Sequence, residues 1–346
     1  MPRIKPHRSK AILFLIGLVI SGFCLYFAFR KVNLNSFLLE FKKMNPMAIV
    51  LALVLVNLHN FLLAFRWKFL LSHLGKVPYW TAFWSLRLSF FFNASLPARL
   101  GEPFRVWYIH RMTKISPARA VGALGVDRFL DFVCLFALVY ISALVLGMRG
   151  NLPATSTIVG ATISVFALFF VLAKLPKHSK VGWLHWLLQL RSRIFEGIAS
   201  LKSIRVMSSA IPISFLGWCI EASILVVFSY GLGDPFSIFR AFMVVAAVNV
   251  AISIPSSPGH IGTFQLGAMT MLLFLNVGKG QAATIAILYH LVQLIPTLLI
   301  GAFGYYFYFM RIPKISKTAK AHVLADLENQ PTIWETPPVS EKRNAS

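Results

Sequence analysis

The heptapeptide Ser95-Leu-Pro-Ala-Arg-Leu-Gly101 follows an apolar block at residues 79–96, and its Ser-x-Pro-x-x-x-Gly pattern returns at residues 256–262. Proline removes a backbone donor and glycine accepts unusual dihedral angles, so each copy should interrupt a helix. At membrane depth, interrupted backbone is tolerated only where protein or a wet cavity covers it. The pattern therefore predicts two broken helical hairpins, at residues 79–112 and 236–276. The alternative is that each heptapeptide is an ordinary turn between two full spans.

The composition around these segments is typical of a membrane protein. The chain has 346 residues, of which 57% are hydrophobic and 13% charged, and its mean hydropathy is +0.71. These values argue against a soluble enzyme. The formal charge of +23 comes mostly from residues between apolar blocks, which favours membrane topology and anionic headgroups over nucleic acid. The three cysteines lie far apart in apolar stretches, so they predict neither a disulfide framework nor a metal site.

A transmembrane helix needs about 20 mostly apolar residues, and several blocks approach or exceed that length. They lie at residues 11–29, 46–65, 120–147, 157–173, 208–230, 236–256, 259–276 and 281–309. The prediction is an all-α, polytopic membrane protein of about eight transmembrane helices plus a re-entrant hairpin, with its two broken-helix elements in an inverted repeat. Residues 1–312 form the predicted membrane domain, and residues 313–346 a disordered cytoplasmic tail.

Basic residues between the blocks are distributed unevenly. With residues 79–96 taken as re-entrant, the segments on the side of the N-terminus hold 19 Lys and Arg residues, against 6 in the opposite loops. The positive-inside rule therefore places both termini in the cytoplasm. Apolar residues at helical spacing predict two surface helices, one outside at residues 34–41 and one inside at residues 181–205. The inner segment is alternatively a plain linker, or a basic surface that binds a soluble partner.

Charged residues at membrane depth are costly, so they are the best markers of function in this sequence. Near the first heptapeptide, Glu102 can pair with Arg99 or Arg105 and leave the other arginine free to hold a phosphate. The i, i+4 spacing of Asp127 and Asp131 puts both carboxylates on one helix face toward the bundle. The alternative for each group is a solvated rim near the membrane surface.

Two further spans carry isolated polar groups. Glu221 lies near the middle of block 208–230 and is a candidate proton carrier, a partner for a cation on another helix, or a neutral hydrogen-bonded acid. His59 and His290 are expected to form hydrogen bonds between helices.

Catalytic motifs are mostly missing from the sequence. It has no Walker loop, no Gly-x-Ser-x-Gly elbow and no His-Glu-x-x-His motif. An enzymatic function is therefore the less favoured interpretation, and no cofactor or metal is expected. The alternative is an integral-membrane transferase that uses a polyprenyl-phosphate donor, with Glu102, Asp127 and Asp131 as acid-base or metal-binding groups.

Several segments together resemble the lysylphosphatidylglycerol synthase transmembrane-region family, over about residues 10–310. They are Arg66-Trp67, Leu96-Pro-Ala-Arg-Leu-Gly-Glu-Pro-Phe-Arg105, Asp127-Arg-x-x-Asp131, Pro258-Gly-His-Ile-Gly-Thr-Phe-Gln265 and Leu288-Tyr-His-Leu291. The resemblance implies a flippase-like bundle with paired re-entrant elements that moves a phospholipid or polyprenyl-phosphate-linked lipid between leaflets. It also implies a stand-alone member without the aminoacyl-transferase domain, so lipid aminoacylation is not expected.

This sequence departs from the family pattern near the second heptapeptide. The family usually has glycine and glutamate where His260 and Gln265 stand, and arginine where His290 stands. Loss of an acid and a base together predicts that a buried ion pair is replaced by a neutral pair, in which Gln265 contacts His290.

The resemblance and the broken hairpins together predict a lipid-headgroup site where the two heptapeptides meet. Its predicted residues are Ser95, Pro97, Arg99, Gly101, Glu102, Arg105, Ser256, Pro258, Gly259, His260, Gly262 and Gln265. The supporting intramembrane polar residues are Asp127, Arg128, Asp131, Glu221 and His290. The expected partners are an anionic or polyprenyl-phosphate lipid, the membrane, and a soluble or membrane enzyme, but no nucleic acid.

Overall fold

The computed structural model describes residues 6–30, 32–96, 100–147, 195–254 and 256–310. Within these ranges the chain is helical and has no strand, which confirms the all-α prediction. The helices are α1 (Pro6–Phe29), α2 (Leu34–Lys43), α3 (Pro46–Leu71), α4 (Tyr79–Ser95), α5 (Gly101–Thr113), α6 (Pro117–Val145), α7 (Ile204–Gly231), α8 (Ile238–Ala251), α9 (Thr263–Phe274) and α10 (Lys279–Tyr305). Two 3-10 turns lie at Ala199–Lys202 and Pro258–His260, and a π-helical turn, Tyr306–Met310, follows α10.

Four of the described helices, α3, α6, α7 and α10, are long and apolar enough to cross a membrane. They coincide with the predicted blocks 46–65, 120–147, 208–230 and 281–309. A fifth span results if α2 and residues Gly17–Phe29 of α1 are counted as one bent element. Block 157–173 lies outside the described residues, so the total of about eight spans stays a prediction. Most of the predicted inner surface helix and the tail at 313–346 also lie outside them.

Helix α2 is the predicted outer surface helix. Asn33 caps its start, since the Asn33 Oδ1 atom accepts a hydrogen bond of 2.9 Å from the backbone N–H of Asn35. The helix makes an angle of 82° with residues Gly17–Phe29 of α1, and none of its residues is buried. This angle and this exposure agree with the surface helix that the amphipathic pattern predicts.

Helices α4 and α5 form a first hairpin, and α8 and α9 form a second. A Cβ atom on Gly101, the first residue of α5, would lie only 1.9 Å from the Ser89 carbonyl oxygen, so glycine permits the two helices to touch. Gly267 likewise permits α9 to touch α8 in the second hairpin, because an added Cβ atom would lie 2.8 Å from the Ala247 carbonyl oxygen. With 14 and 12 residues, α8 and α9 are each shorter than a full span. Both heptapeptides therefore separate short helices, as the broken-hairpin prediction requires.

The buried apolar residues form two clusters at opposite ends of the bundle. One cluster combines the second hairpin with the N-terminal halves of α3 and α10 and the C-terminal half of α7. The other combines the first hairpin with the C-terminal end of α3 and the N-terminal halves of α6 and α7. The two hairpins therefore enter the bundle from opposite ends. That they are related as an inverted repeat of the chain stays a prediction.

Helix α10 connects the two ends. Its first half lies in the cluster of the second hairpin. Its last two glycines pack closely against α4. An added Cβ atom would lie 2.3 Å from the Phe91 side chain at Gly301 and 2.4 Å from the Trp84 side chain at Gly304. Pro296 lies inside the helix between the two halves.

Candidate functional site

Between the two apolar clusters, the long helices carry buried polar side chains. Arg66 is the centre of one group: its Nε atom donates to Asp127 Oδ1 at 2.9 Å, and its Nη1 atom donates to Asp131 Oδ1 at 2.6 Å. Nη1 also donates to Ser214 Oγ at 2.9 Å, so one guanidinium joins α3, α6 and α7. Both carboxylates lie on one face of α6, which confirms the prediction from their spacing.

Arg105 holds the other oxygen of Asp127. Its Nη1 atom donates to Asp127 Oδ2 at 2.9 Å, and its guanidinium lies 3.8 Å from the centre of the Trp67 ring. Trp67 is fixed in turn by a 3.1 Å hydrogen bond from its Nε1 atom to Ser85 Oγ. Within the described residues, the Nε and Nη2 atoms of Arg105 have no hydrogen-bond partner. Arg105 is therefore a fully buried cation with only part of its donors satisfied.

Glu102 pairs with Arg128, not with Arg105, so the predicted Glu102–Arg105 pair is wrong. Arg128 Nε lies 3.1 Å from Glu102 Oε1, and Arg128 Nη1 lies 3.4 Å from Asp131 Oδ2. The physical reason is burial: attraction between charges is stronger away from water, and Asp127 is buried whereas Glu102 is partly exposed. Arg99, the other predicted partner, lies outside the described residues, as does Pro97.

Three arginines and three acidic residues form one connected group, the Arg66 cluster. Its members are Arg66, Glu102, Arg105, Asp127, Arg128 and Asp131. Three guanidinium groups face three carboxylates, so the charges of the cluster balance. It runs from the fully buried Arg66 to Arg128, whose side chain is 46% exposed. Most of the charge at this depth is therefore compensated within the protein.

The second heptapeptide forms a tight turn that other helices cover. Gly259, His260 and Gly262 have positive φ angles of 71°, 57° and 95°. The backbone N–H of Ser257 donates to Ser21 Oγ of α1 at 3.0 Å. A Cβ atom on Gly262 would lie 2.4 Å from the Ser21 carbonyl oxygen, so glycine permits α1 to cover this turn. Protein thus shields the irregular backbone, as a bilayer requires.

Gln265 and His290 anchor this turn and contact each other, as their joint departure from the family pattern predicts. Gln265 Nε2 lies 2.7 Å from His290 Nδ1, and His290 Nε2 lies 2.8 Å from the Gly259 carbonyl oxygen. The backbone N–H of Gly262 donates to Gln265 Oε1 at 2.7 Å. Since the Gly259 carbonyl can only accept, His290 donates from Nε2 and accepts at Nδ1. The network therefore holds a neutral histidine.

The second heptapeptide meets the end of the helix that leads into the first. The Pro258–His260 turn packs against α4, and a Cβ atom on Gly259 would lie 3.6 Å from the carbonyl oxygen of Ala94, next to Ser95. On its other side the same Cβ would lie 3.3 Å from Leu294 of α10. Here "first tip" means residues 95–101 and "second tip" residues 256–262. The end of the helix that leads into the first tip therefore touches the second tip inside the bundle.

The sequence model described as Lysylphosphatidylglycerol synthase TM region matches residues 14–301, most of the chain. The chain belongs to this family. It is also similar to a UPF0104 membrane protein of Methanocaldococcus jannaschii, with 26% identity over 234 residues, which are 66% of this chain and 99% of that protein. A second UPF0104 membrane protein of the same archaeon is 28% identical over 148 residues, 40% of this chain and 43% of that protein.

In this lysylphosphatidylglycerol synthase transmembrane-region protein, a second polar group surrounds Glu221. Tyr289 Oη and Gln293 Nε2 both donate to Glu221 Oε1. On the other side, His59 Nδ1 lies 2.9 Å from Glu221 Oε2. These four residues, the Glu221 cluster, join α3, α7 and α10. The sequence left three roles open for Glu221. In the structure its carboxyl group accepts hydrogen bonds from two side chains and has a histidine beside it.

Arg87 is the residue that the sequence argument passed over. It is fully buried in α4, and its Nη2 atom donates to the Pro296 carbonyl oxygen of α10 at 2.9 Å. Across the described part of the chain, its Nε and Nη1 atoms have no hydrogen-bond partner. Pro296 is two residues from Leu294, which touches the second tip, so this cation lies near the junction of the tips. A charged residue within apolar block 79–96 was the available signal.

Proposed function

We propose that this protein binds a phosphate-bearing lipid at the junction of its two tips and moves it between the leaflets. The observation that carries the proposal is the contact of the second tip with the end of α4. Because the hairpins enter from opposite ends, each membrane face has a broken element that reaches the same point. Inverted-repeat transporters place their substrate site at such a midplane junction.

Two buried arginines, Arg87 beside the junction and Arg105 in the Arg66 cluster, support a phosphate-bearing ligand. Within the described residues each keeps two nitrogen atoms without a hydrogen-bond partner, and unsatisfied buried donors are costly. A guanidinium binds phosphate oxygens through two parallel hydrogen bonds, so either residue suits an anionic headgroup. Arg99 is proposed as a third such residue from its place in the first tip. The remaining headgroup residues proposed are Ser95, Pro97, Gly101, Glu102, Ser256, Pro258, Gly259, His260, Gly262 and Gln265.

The transferase alternative receives no support from the Arg66 cluster. Both oxygens of Asp127 accept hydrogen bonds from arginines, and Asp131 is bonded to Arg66 as well. Carboxylates held in this way are poorly placed to bind a divalent cation or to exchange a proton with a substrate. The phosphate of the lipid is common to phospholipids and polyprenyl-phosphate-linked lipids, so the test uses both.

The proposal is tested by locking the tips together. Ala94→Cys and Gly259→Cys, in a background with Cys24, Cys134 and Cys219 replaced by alanine, are joined by a short bis-methanethiosulfonate reagent. We expect purified protein in vesicles to speed the exchange between leaflets of fluorescent phosphatidylglycerol or of a short fluorescent polyprenyl phosphate. Cross-linking should return the rate to that of protein-free vesicles, because a lipid cannot pass a closed junction. Reductant should restore it.

The double-cysteine protein before cross-linking gives the reference rate, and Ala94→Cys alone, treated with the same reagent, is the control and should keep the rate of its cysteine-free background. If neither lipid moves faster than in protein-free vesicles, the transport proposal fails. If the cross-linked protein works as well as the reduced protein, the site does not lie between the tips.

We also propose that the termini are cytoplasmic and that the membrane is the bacterial inner membrane. Arg205 and Asp234 lie at opposite ends of α7, so they test the sidedness. With the native cysteines replaced, Asp234→Cys should react with an impermeant maleimide in intact cells, because it lies in an outer loop. Arg205→Cys should react only after permeabilisation. The opposite pattern would invert the proposed topology.

A further inference from the structure

The Glu221 cluster contains a carboxyl group and an imidazole in direct contact at membrane depth. Glu221 Oε1 receives hydrogen bonds from Tyr289 and Gln293, which fixes the orientation of the carboxyl group. Its Oε2 atom then faces His59 Nδ1 at 2.9 Å. This is a close contact but not a directed hydrogen bond, since Nδ1 has no hydrogen-bond partner within the described residues. An unprotonated nitrogen and a carboxylate repel each other at this distance, so the contact favours a proton on the pair. The side chains of His59 and Glu221 are only 13% and 10% exposed.

Among the described residues, no cation other than His59 is in position to balance Glu221. Arg66 and Ser214 are bonded to each other and lie seven residues from His59 and Glu221 on their respective helices, or about 10.5 Å away. Arg66 is already bonded to Asp127 and Asp131. The other titratable or charged groups on the described helices packed against α7 are Lys68, Arg119, Arg128, Tyr140, Arg240, Lys279, Tyr289, His290 and Tyr305. Of the described groups, only His59 lies in contact with the free oxygen of Glu221.

The charge of the pair depends on one proton. With a neutral imidazole beside the carboxylate, the pair carries a net negative charge in the membrane. One added proton makes the pair neutral, and this is favoured because an uncompensated charge at this depth is costly. In this protonated, or loaded, state the carboxyl group of Glu221 holds the added proton and the imidazole of His59 stays neutral.

We infer that Glu221 and His59 form a proton-binding site inside the membrane, and that its occupancy controls lipid movement. The second half rests on the proposed function, whereas the first half does not. The connection runs through α10. Tyr289 and Gln293 bind Glu221, while their neighbours His290 and Leu294 contact the second tip. A change in the hydrogen bonds of Glu221 therefore acts on the same two turns of α10 that hold the tip.

Proton binding is tested by infrared difference spectroscopy of the full chain in nanodiscs during a pH titration. We expect a protonated-carboxyl band that grows on acidification. Glu221→Gln should remove the band, because its amide oxygen still accepts from Tyr289 and Gln293 but binds no proton. His59→Gln should shift the midpoint. Glu40→Gln, the same change on the exposed helix α2, should leave the band as it is.

The coupling is tested with fluorescent phosphatidylglycerol in vesicles at several pH values. Above the midpoint the loaded fraction falls roughly tenfold per pH unit, and the rate of lipid exchange should fall with it. In Glu221→Gln the rate should not depend on pH. A band that titrates without any lipid movement refutes the proposed transport function but keeps the proton site. Lipid movement without a titrating band refutes the proton site alone, and a titrating band with a pH-independent rate refutes the coupling.

Discussion

Replacing Asp127 with alanine should leave little folded protein in the membrane. Its carboxylate is the shared partner of Arg66 and Arg105, and all three side chains are fully buried. Removal of one partner of a buried ion pair costs about 3–5 kcal/mol, because the remaining charges lose their compensation. That amount is a large fraction of the roughly 5–15 kcal/mol by which native proteins are stable. Fluorescence-detected size exclusion in detergent and thermal unfolding would measure the loss.

Graded controls come from the same cluster. Asp131→Ala should cost less, because the Asp131 side chain is 20% exposed, and Glu102→Ala should cost at most about 1 kcal/mol, because its pair lies near the surface. Asp127→Ala combined with Arg105→Met should recover part of the yield, since the second change removes one of the orphaned charges. Equal yields from Asp127→Ala and Glu102→Ala would contradict the central place of Asp127.

Replacing Gly101 with alanine should open the first hairpin. The added methyl group would lie 1.9 Å from the Ser89 carbonyl oxygen and 2.7 Å from Asn93 Oδ1. The first of these is a backbone atom, so no change of rotamer relieves the overlap and α4 and α5 must separate. We expect a loss of about 3 kcal/mol or more, with loss of lipid exchange, because overpacking against fixed backbone is strongly destabilising.

Gly125→Ala is the matched control for this change. Gly125 lies inside α6 and an added Cβ there would meet nothing within 4 Å. Alanine is a better helix former than glycine by about 1 kcal/mol, so this variant should be as stable as the parent or more so. Similar melting temperatures for the two variants would show that α4 and α5 do not approach each other at Gly101.

Local sequence patterns predicted the features that depend on short spacing. The breaks at Pro258 and Gly262 follow from the backbone preferences of proline and glycine. The shared face of Asp127 and Asp131 follows from the helical repeat. The Gln265–His290 contact was predictable for another reason: two departures from a family pattern indicated that the residues interact.

Contacts between distant helices were not predictable in the same way. Arg66 meets Asp127 and His59 meets Glu221 only because of the rotation and register of α3 against α6 and α7. A single sequence carries no local signal for either setting. The same limitation explains the wrong partner for Glu102: a nearby arginine in the sequence was the obvious choice, but burial assigned that arginine to Asp127.

The position of Pro296 has a mechanical consequence. Before this residue α10 belongs to the cluster of the second hairpin, and after it Gly301 and Gly304 clamp the helix against the first hairpin. Proline cannot donate the hydrogen bond that would close this turn, so the helix resists bending least at that point. The two arms of α10 on either side of Pro296 are thus fastened to opposite hairpins. A separation of the tips would therefore bend the helix at this residue.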